Sequence, residues 1–152
     1  MNASQHVVLL VEDDPNDALL IQRAMKKANL VNRVIHVDDG EKAVNYLSGV
    51  APYDDRTENP LPVFMLLDLK LPRRSGHEVL SWVRAQPALK RLPIVILTSS
   101  SERSDVAQAY DLGANSYLVK PVTFDGLFDM VKILHPYWMV LNEHPDLTQG
   151  TR

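Results

Sequence analysis

Five short apolar runs recur along the chain: Val7–Val11, Val34–Val37, Val63–Leu67, Ile94–Leu97 and Tyr117–Val119. They are rich in Val, Ile and Leu and do not alternate with polar residues, which is how strands buried on both faces of a parallel sheet read. Between the runs, apolar residues return at helical spacing. Leu20, Ile21, Ala24 and Ala28 mark the first such face, and Ala43, Val44 and Leu47 the second. Val79, Leu80 and Val83 mark the third, Val106, Ala109 and Tyr110 the fourth, and Phe124, Leu127, Phe128, Val131 and Leu134 the fifth. Strand followed by helix, five times over, predicts an α/β fold: an open parallel sheet with helices on both faces. Right-handed crossovers leave few topologies for it.

The punctuation agrees. Asp14-Pro15-Asn16-Asp17 opens the first helix, with Pro in its first turn, and Asp38-Asp39-Gly40 separates a strand from a helix. Gly49–Pro62, with three prolines and several charges, reads as a long exposed loop. Pro136 lacks an N–H and clashes with the preceding turn, so it is expected to break or kink the last helix. The domain is therefore placed at residues 1–134, with 135–152 as a C-terminal extension. Met130, Ile133, Tyr137, Val140 and Leu141 lie off the face set by Leu127 and Val131. A helix apolar on two sides buries both. The tail then either folds back on its own domain or forms a dimer interface, and the second is the sharper expectation.

Composition narrows the function. The 152 residues carry 45% apolar and 23% charged side chains, close to the average of a globular domain. The net charge of −3 argues against broad nucleic-acid binding, which needs a basic surface. There is no Cys, so no disulfide, thiolate metal site or thiol nucleophile. No apolar run approaches the roughly 20 residues of a membrane span, and Met1–His6 lacks a basic leader segment. A cytoplasmic location with no membrane attachment is expected.

In open parallel sheets, ligands bind beyond the carboxyl ends of the strands. Glu12, Asp13 and Asp14 follow the first run, Asp68 ends the third, Thr98, Ser99 and Ser100 follow the fourth, and Lys120-Pro121 follows the fifth. Clustered carboxylates stay ionised only with positive charge among them. Hard oxygen donors of this kind suit Mg²⁺. Lys120 is a point charge suited to a phosphoryl oxygen, and Thr98 offers a hydrogen bond to another. A carboxylate can itself accept a phosphoryl group, so the set reads as a phospho-aspartate site with Asp68 attacking in line. The bland readings stand beside this. Asp14 is favoured as an ordinary helix cap, and Arg73 and Arg74 as a solvated pair. His6, His36, His77, His135 and His144 show no metal spacing and read as structural or solvent-exposed.

Val11-Glu12-Asp13-Asp14-Pro15, Leu66-Leu67-Asp68-Leu69-Lys70-Leu71-Pro72, Ile96-Leu97-Thr98-Ser99 and Tyr117-Leu118-Val119-Lys120-Pro121 resemble the signature of receiver domains of two-component response regulators, in order and in spacing. The resemblance covers Val7 to Leu134. It implies a flavodoxin-like (βα)5 fold with strand order 2-1-3-4-5, and transfer of a phosphoryl group from a sensor histidine kinase to Asp68. It implies Mg²⁺ held by Asp13, Asp68 and the backbone carbonyl of Lys70, with Glu12 acting through water, and Lys120 on the phosphoryl group. It further implies a cis Lys120–Pro121 bond, a Thr98 that moves toward the phosphoryl group, and a Tyr117 that switches between outward and inward rotamers.

The Gly49–Pro62 insertion, the stretch Leu71–Leu80 and the Pro136-Tyr137-Trp138 tail resemble, more narrowly, the small regulators that partner phytochrome kinases. That implies a homodimer through the fourth helix, fifth strand, fifth helix and tail, and an unknown downstream protein. Lys70 stands where the family often has Asn, and Ser100 lies two residues after Thr98; both positions bear on dephosphorylation. The 18 residues after Leu134 are too few for a DNA-binding output domain, so no DNA is expected among the partners.

Three rival readings fit the sequence less well. A haloacid-dehalogenase-like phosphatase needs a second Asp where Lys70 stands. A flavodoxin-type cofactor binder needs a Ser/Thr/Gly phosphate loop where this chain is acidic. A phosphorylation-independent pseudo-receiver would not need the complete acidic, Asp, Thr and Lys set. Beyond turnover of its own phospho-Asp68, no enzymatic activity is expected.

Overall fold

The computed structural model describes residues 6–28 and 32–147. The elements alternate as read: β1 (Val8–Val11), α1 (Pro15–Lys27), β2 (Val34–Val37), α2 (Gly40–Ser48), β3 (Phe64–Leu67), α3 (Gly76–Ala85), β4 (Ile94–Thr98), α4 (Arg103–Asp111), β5 (Ser116–Val119) and α5 (Phe124–His135). All strand pairs are parallel, in the order β2-β1-β3-β4-β5. The chain reverses direction across the sheet between β1 and β3, and that switch point is where a ligand cleft forms.

Strand alternation divides the core into two layers. Leu9, Val11, Met65, Leu67, Ile94 and Ile96 point to one face and pack with Ala43, Leu47, Val79, Leu80 and Val83 of α2 and α3. Val8, Leu10, Phe64, Leu66, Val95 and Leu97 point to the other and pack with Ala18, Ile21, Ala24, Leu127 and Val131 of α1 and α5. Burial on both faces holds for β1, β3 and β4 but not for the edge strands: β2 and β5 are half-buried, and Val119 is 41% exposed. An edge strand has a neighbour on one side only, so its apolar residues are covered less fully. The fourth helix departs from its reading in the same way. Ala109 is buried, whereas Tyr110 is 50% exposed.

Local signals explain the helix ends. Asp14 caps α1, accepting from the N–H groups of Asn16 and Asp17. Ser75 and Glu78 form a capping box at α3. The insertion 49–62 is fastened rather than loose. Arg56 donates to the carbonyls of Tyr46, Leu47 and Asn59 at 2.7, 2.8 and 3.1 Å, and the Tyr46 hydroxyl donates to Pro60 O at 2.7 Å.

One expectation is met and one is corrected. The α-helix breaks at Pro136, which caps α5, and the chain continues from there as a π-helix, Pro136–Leu141. Its wider turn places Asn142 N 2.7 Å from Tyr137 O, five residues back, which tolerates the missing proline N–H. Lys120–Pro121 is trans, the form X–Pro bonds prefer by about 0.5–1 kcal/mol, and Lys120 reaches its partners from it.

The tail folds back on its own domain. Trp138 is 9% exposed and stacks on Phe64 at 5.4 Å, Met139 packs against the same layer, and Leu147 enters the other layer. Ile133 and Tyr137 stay exposed, and Met130 is half-buried. The side chains of Val140 and Leu141 lie outside the described residues.

Candidate functional site

The carboxyl ends of β1, β3, β4 and β5 bring the candidate residues together. Glu12 and Asp68 are buried and Asp13 is exposed; one carboxylate oxygen from each lies within 4.8 Å of the others. Lys120 reaches in from β5, donating to Asp68 Oδ2 at 2.9 Å, to Asp17 Oδ2 at 3.0 Å, and to Glu12 Oε1 at close range. Asp17, in the first turn of α1, is a partner that the sequence reading missed. Its one signal was position: it precedes the buried Ala18 on the turn that faces the sheet end.

Backbone geometry fixes the acceptor loop. The N–H of Leu69 donates to Asp68 Oδ1 at 2.7 Å, and that of Lys70 approaches the same oxygen at 3.4 Å. Gly76, at the start of α3, lies so close that a Cβ there would come within 2.2 Å of Asp68 O. The absent side chain lets α3 press the loop against the strand end. From β2, His36 Nε2 reaches to 2.8 Å from Glu12 O, just past the end of β1. A carbonyl only accepts, so the imidazole donates from Nε2.

The charges are unbalanced as they stand. Burial pushes the Glu12 carboxyl up to about 8, a rise that Lys120 opposes and the charge of Asp68 reinforces. Burial also raises Asp68, but the neighbouring Thr98 hydroxyl and the Lys120 ammonium outweigh it and leave that carboxyl below its usual range. Burial alone would lower Lys120; Glu12 and Asp68 hold it above the ordinary lysine value. Even with Glu12 holding its proton, Asp13, Asp17 and Asp68 outnumber the one ammonium and leave net negative charge at the cleft. Hard oxygen donors in that state fit a divalent cation.

Thr98 is fully buried, and its Oγ1 lies near enough to favour the Asp68 carboxylate but makes no hydrogen bond of normal geometry. A buried hydroxyl so loosely paired costs stability and needs an explanation. A ligand oxygen at the acidic cluster would satisfy it. Tyr117 is half-buried, with its hydroxyl donating to Ser100 O at 2.8 Å, so it occupies one defined rotamer, turned inward. Lys70 is exposed. A separate cavity of about 540 Å³ opens near the amino ends of the strands, walled by Pro60, Leu61, Val63 and Leu147; the acidic cluster is not part of it.

A family model for the response regulator receiver domain matches residues 8–132. The chain belongs to the receiver-domain family. It is therefore a two-component signalling module, a class that is generally not enzymatic. This receiver is 38% identical over 133 residues to the response regulator Rcp1 of Synechocystis, covering 88% of each chain. It is 37% identical over 139 residues to a probable methanogenesis regulatory protein, FilR2, of Methanothrix harundinacea, covering 91% of this chain and 87% of that one. Among solved structures, the phosphorylated cyanobacterial phytochrome response regulator RcpA superposes with a TM-score of 0.87 at 34% identity, over 93% of this chain and 99% of that one. The Mn²⁺-bound form of Rcp1 gives 0.85 at 36% identity, with the same coverage. Receiver domains bind a divalent metal, and this receiver carries the matching acidic cluster. Among the described residues no helix is long and apolar enough to cross a membrane.

Proposed function

We propose that this receiver takes a phosphoryl group onto Asp68 from a phosphohistidine of a sensor kinase, and that the kinase is a phytochrome. The observation that carries the chemistry is the Lys120 ammonium 2.9 Å from a buried Asp68 carboxylate, beside a buried Thr98 hydroxyl that makes no hydrogen bond of normal geometry. The phytochrome link rests on the relatives RcpA and Rcp1.

An Asp68 oxygen attacks phosphorus in line as the phosphorus–nitrogen bond breaks, giving an acyl phosphate and returning the electron pair to the imidazole. Lys120 offsets the negative charge of the transferring oxygens, and Thr98 donates to one of them. Mg²⁺ would be held by Asp13, Asp68 and the Lys70 carbonyl, with Glu12 acting through water, and would supply charge neutralisation for the phosphoryl group. Tyr117 and Thr98 carry the change to the face of α4, β5 and α5. That face exposes Tyr110, Val119, Val122 and Phe124, and through it the protein forms a homodimer and meets a downstream protein. Ile133 and Tyr137 extend the apolar surface onto the tail. Residues 1–134 form the receiver and 135–152 an extension, and the protein works in the cytoplasm without DNA.

The test is intact mass after incubation with acetyl phosphate and Mg²⁺. One phosphoryl adduct is expected, absent with a chelator and absent in Asp68→Asn. An unmodified wild-type mass, or an adduct that survives Asp68→Asn, would sink the assignment.

A further inference from the structure

Behind Tyr117 lies a set of contacts that neither phosphoryl transfer nor metal binding uses. Asp105, in the first turn of α4, uses both carboxylate oxygens. Its Oδ2 accepts from Ser100 Oγ at 2.5 Å, and its Oδ1 lies 3.4 Å from Nε2 of His77 on α3. Ser100 is itself buried, and its Oγ also accepts from the N–H of Glu102 at 3.3 Å. The carbonyl of this same residue takes the Tyr117 hydroxyl. Ser100 therefore holds α4 by its side chain and β5 by its main chain, two residues from Thr98.

The chemistry of the pair is one-sided. The Ser100 hydroxyl and the His77 ring keep the Asp105 carboxyl below its usual range, so Asp105 is an anion at neutral pH. A hydroxyl bonded to an anion is held more firmly than one bonded to a neutral acceptor. Fixing Ser100 fixes the direction of its carbonyl, and so the acceptor that Tyr117 finds. Without the carboxylate, residues 99–101 keep only the longer contact to the N–H of Glu102 at the start of α4, and the phenol loses a stationary partner.

We propose that Asp105, supported by His77, is a positioning residue for Tyr117: it clamps Ser100 so that Tyr117 is held inward before Asp68 is modified. This ties the rotamer of Tyr117 to the contact between α3 and α4. The inference rests on the reading of Tyr117 and Thr98 as the moving parts of the receiver. A ligand that favours the inward state then binds with less reorganisation, because that state is already populated.

The test uses the full chain labelled with 3-fluorotyrosine, with the Tyr117 fluorine resonance identified by Tyr117→Phe. In the unmodified, metal-free protein, Asp105→Ala and Ser100→Ala should move that resonance toward the position of an exposed tyrosine, while Ser100→Thr, which keeps the hydroxyl, should leave it in place. His77→Ala should shift it less. Beryllofluoride, a phosphoryl mimic, should bind Asp105→Ala about fivefold more weakly than wild type in the presence of Mg²⁺. If Asp105→Ala fails to fold, the Ser100→Ala and Ser100→Thr pair decides. An unmoved Tyr117 resonance in folded Ser100→Ala would overturn the clamp, as would equal beryllofluoride affinity in wild type and Asp105→Ala. Failure of wild type itself to bind beryllofluoride would instead count against the receiver chemistry, and the fluorine shifts would still decide the clamp.

Discussion

At the carboxyl end of the sheet, Glu12, Asp17 and Asp68 crowd around one ammonium, and a buried hydroxyl on Thr98 makes no hydrogen bond of normal geometry. At the amino end, Arg56 closes three carbonyls, Tyr46 finds Pro60, and Trp138 lies flat on Phe64. The same strands run through both. One end is under-satisfied at the acidic cluster, where we propose that a phosphoryl group is received; the other is closed by an insertion and a tail. Polar groups buried without full partners lower stability, while stacked aromatics and completed hydrogen bonds raise it. The stability of this receiver is therefore expected to be concentrated away from its chemistry, and substitutions at the two ends should differ in sign.

Trp138→Ala gives the largest expected effect. It removes a nearly buried indole from Phe64 and opens space beside Met139. A loss of about 3 kcal/mol in urea unfolding is expected, at the low end for such truncations because the tail is peripheral and can relax. The rate of adduct formation on Asp68 should not change. A tail that contributed nothing to the domain would show no loss in urea. A fall in the adduct rate of the folded variant would instead show that the two ends are coupled, and the comparison would fail.

How much of this was legible in the sequence follows the same division. The central strands, the order of elements and the cap at Asp14 all follow from local patterns: apolar runs, helical spacing, a short polar residue before a proline. Residues at strand ends were also legible, because the topology of an open parallel sheet converges them on one edge, and Glu12, Asp13, Asp68, Thr98 and Lys120 meet there. The long-range polar contacts were not. His77 and Asp105 lie 28 residues apart, and Arg56 and Tyr46 lie 10 apart across an irregular loop, so no periodicity links them. Tyr110 was misplaced because period alone sets which residues share a face, while burial depends on what packs against it. The break at Pro136 follows from its missing N–H, but the wider turn in which the chain continues has no local signal.

Thr98→Val sharpens the contrast with a smaller change. Valine keeps the branched shape and removes the loosely paired hydroxyl from a fully buried position. A stability gain of about 1 kcal/mol is expected by urea unfolding. Adduct formation from acetyl phosphate should fall about a hundredfold, since one donor to the developing charge is gone. Gain of stability with loss of rate is the signature of a group placed for chemistry. A destabilised Thr98→Val would mean that the hydroxyl has a structural partner, and the two ends would then obey the same rule.

The smallest effect is a pair of opposite pH slopes in the metal-free protein. Glu12 is raised from 4.5 to about 8, with burial as the main cause. Between those values the folded state keeps a proton that the unfolded chain has lost, so this group's contribution falls as pH rises toward 8 and is fully present only below 4.5. His6 is lowered from 6.5, first by burial and then by His144, whose ring lies 5.5 Å away. Below 6.5 the unfolded chain takes up a proton that the folded state resists, so the contribution of the amino end is present above 6.5 and is lost on acidification. Acid thus relieves one end and strains the other. Across pH 8 to 5.5 in a chelator, Glu12→Gln should make the midpoint of thermal unfolding fall more on acidification than in wild type, because the stabilising proton is gone. His6→Gln should make it fall less, or rise. Slopes that changed in the same direction in both variants would show that the charge at the carboxyl end is already balanced without a metal.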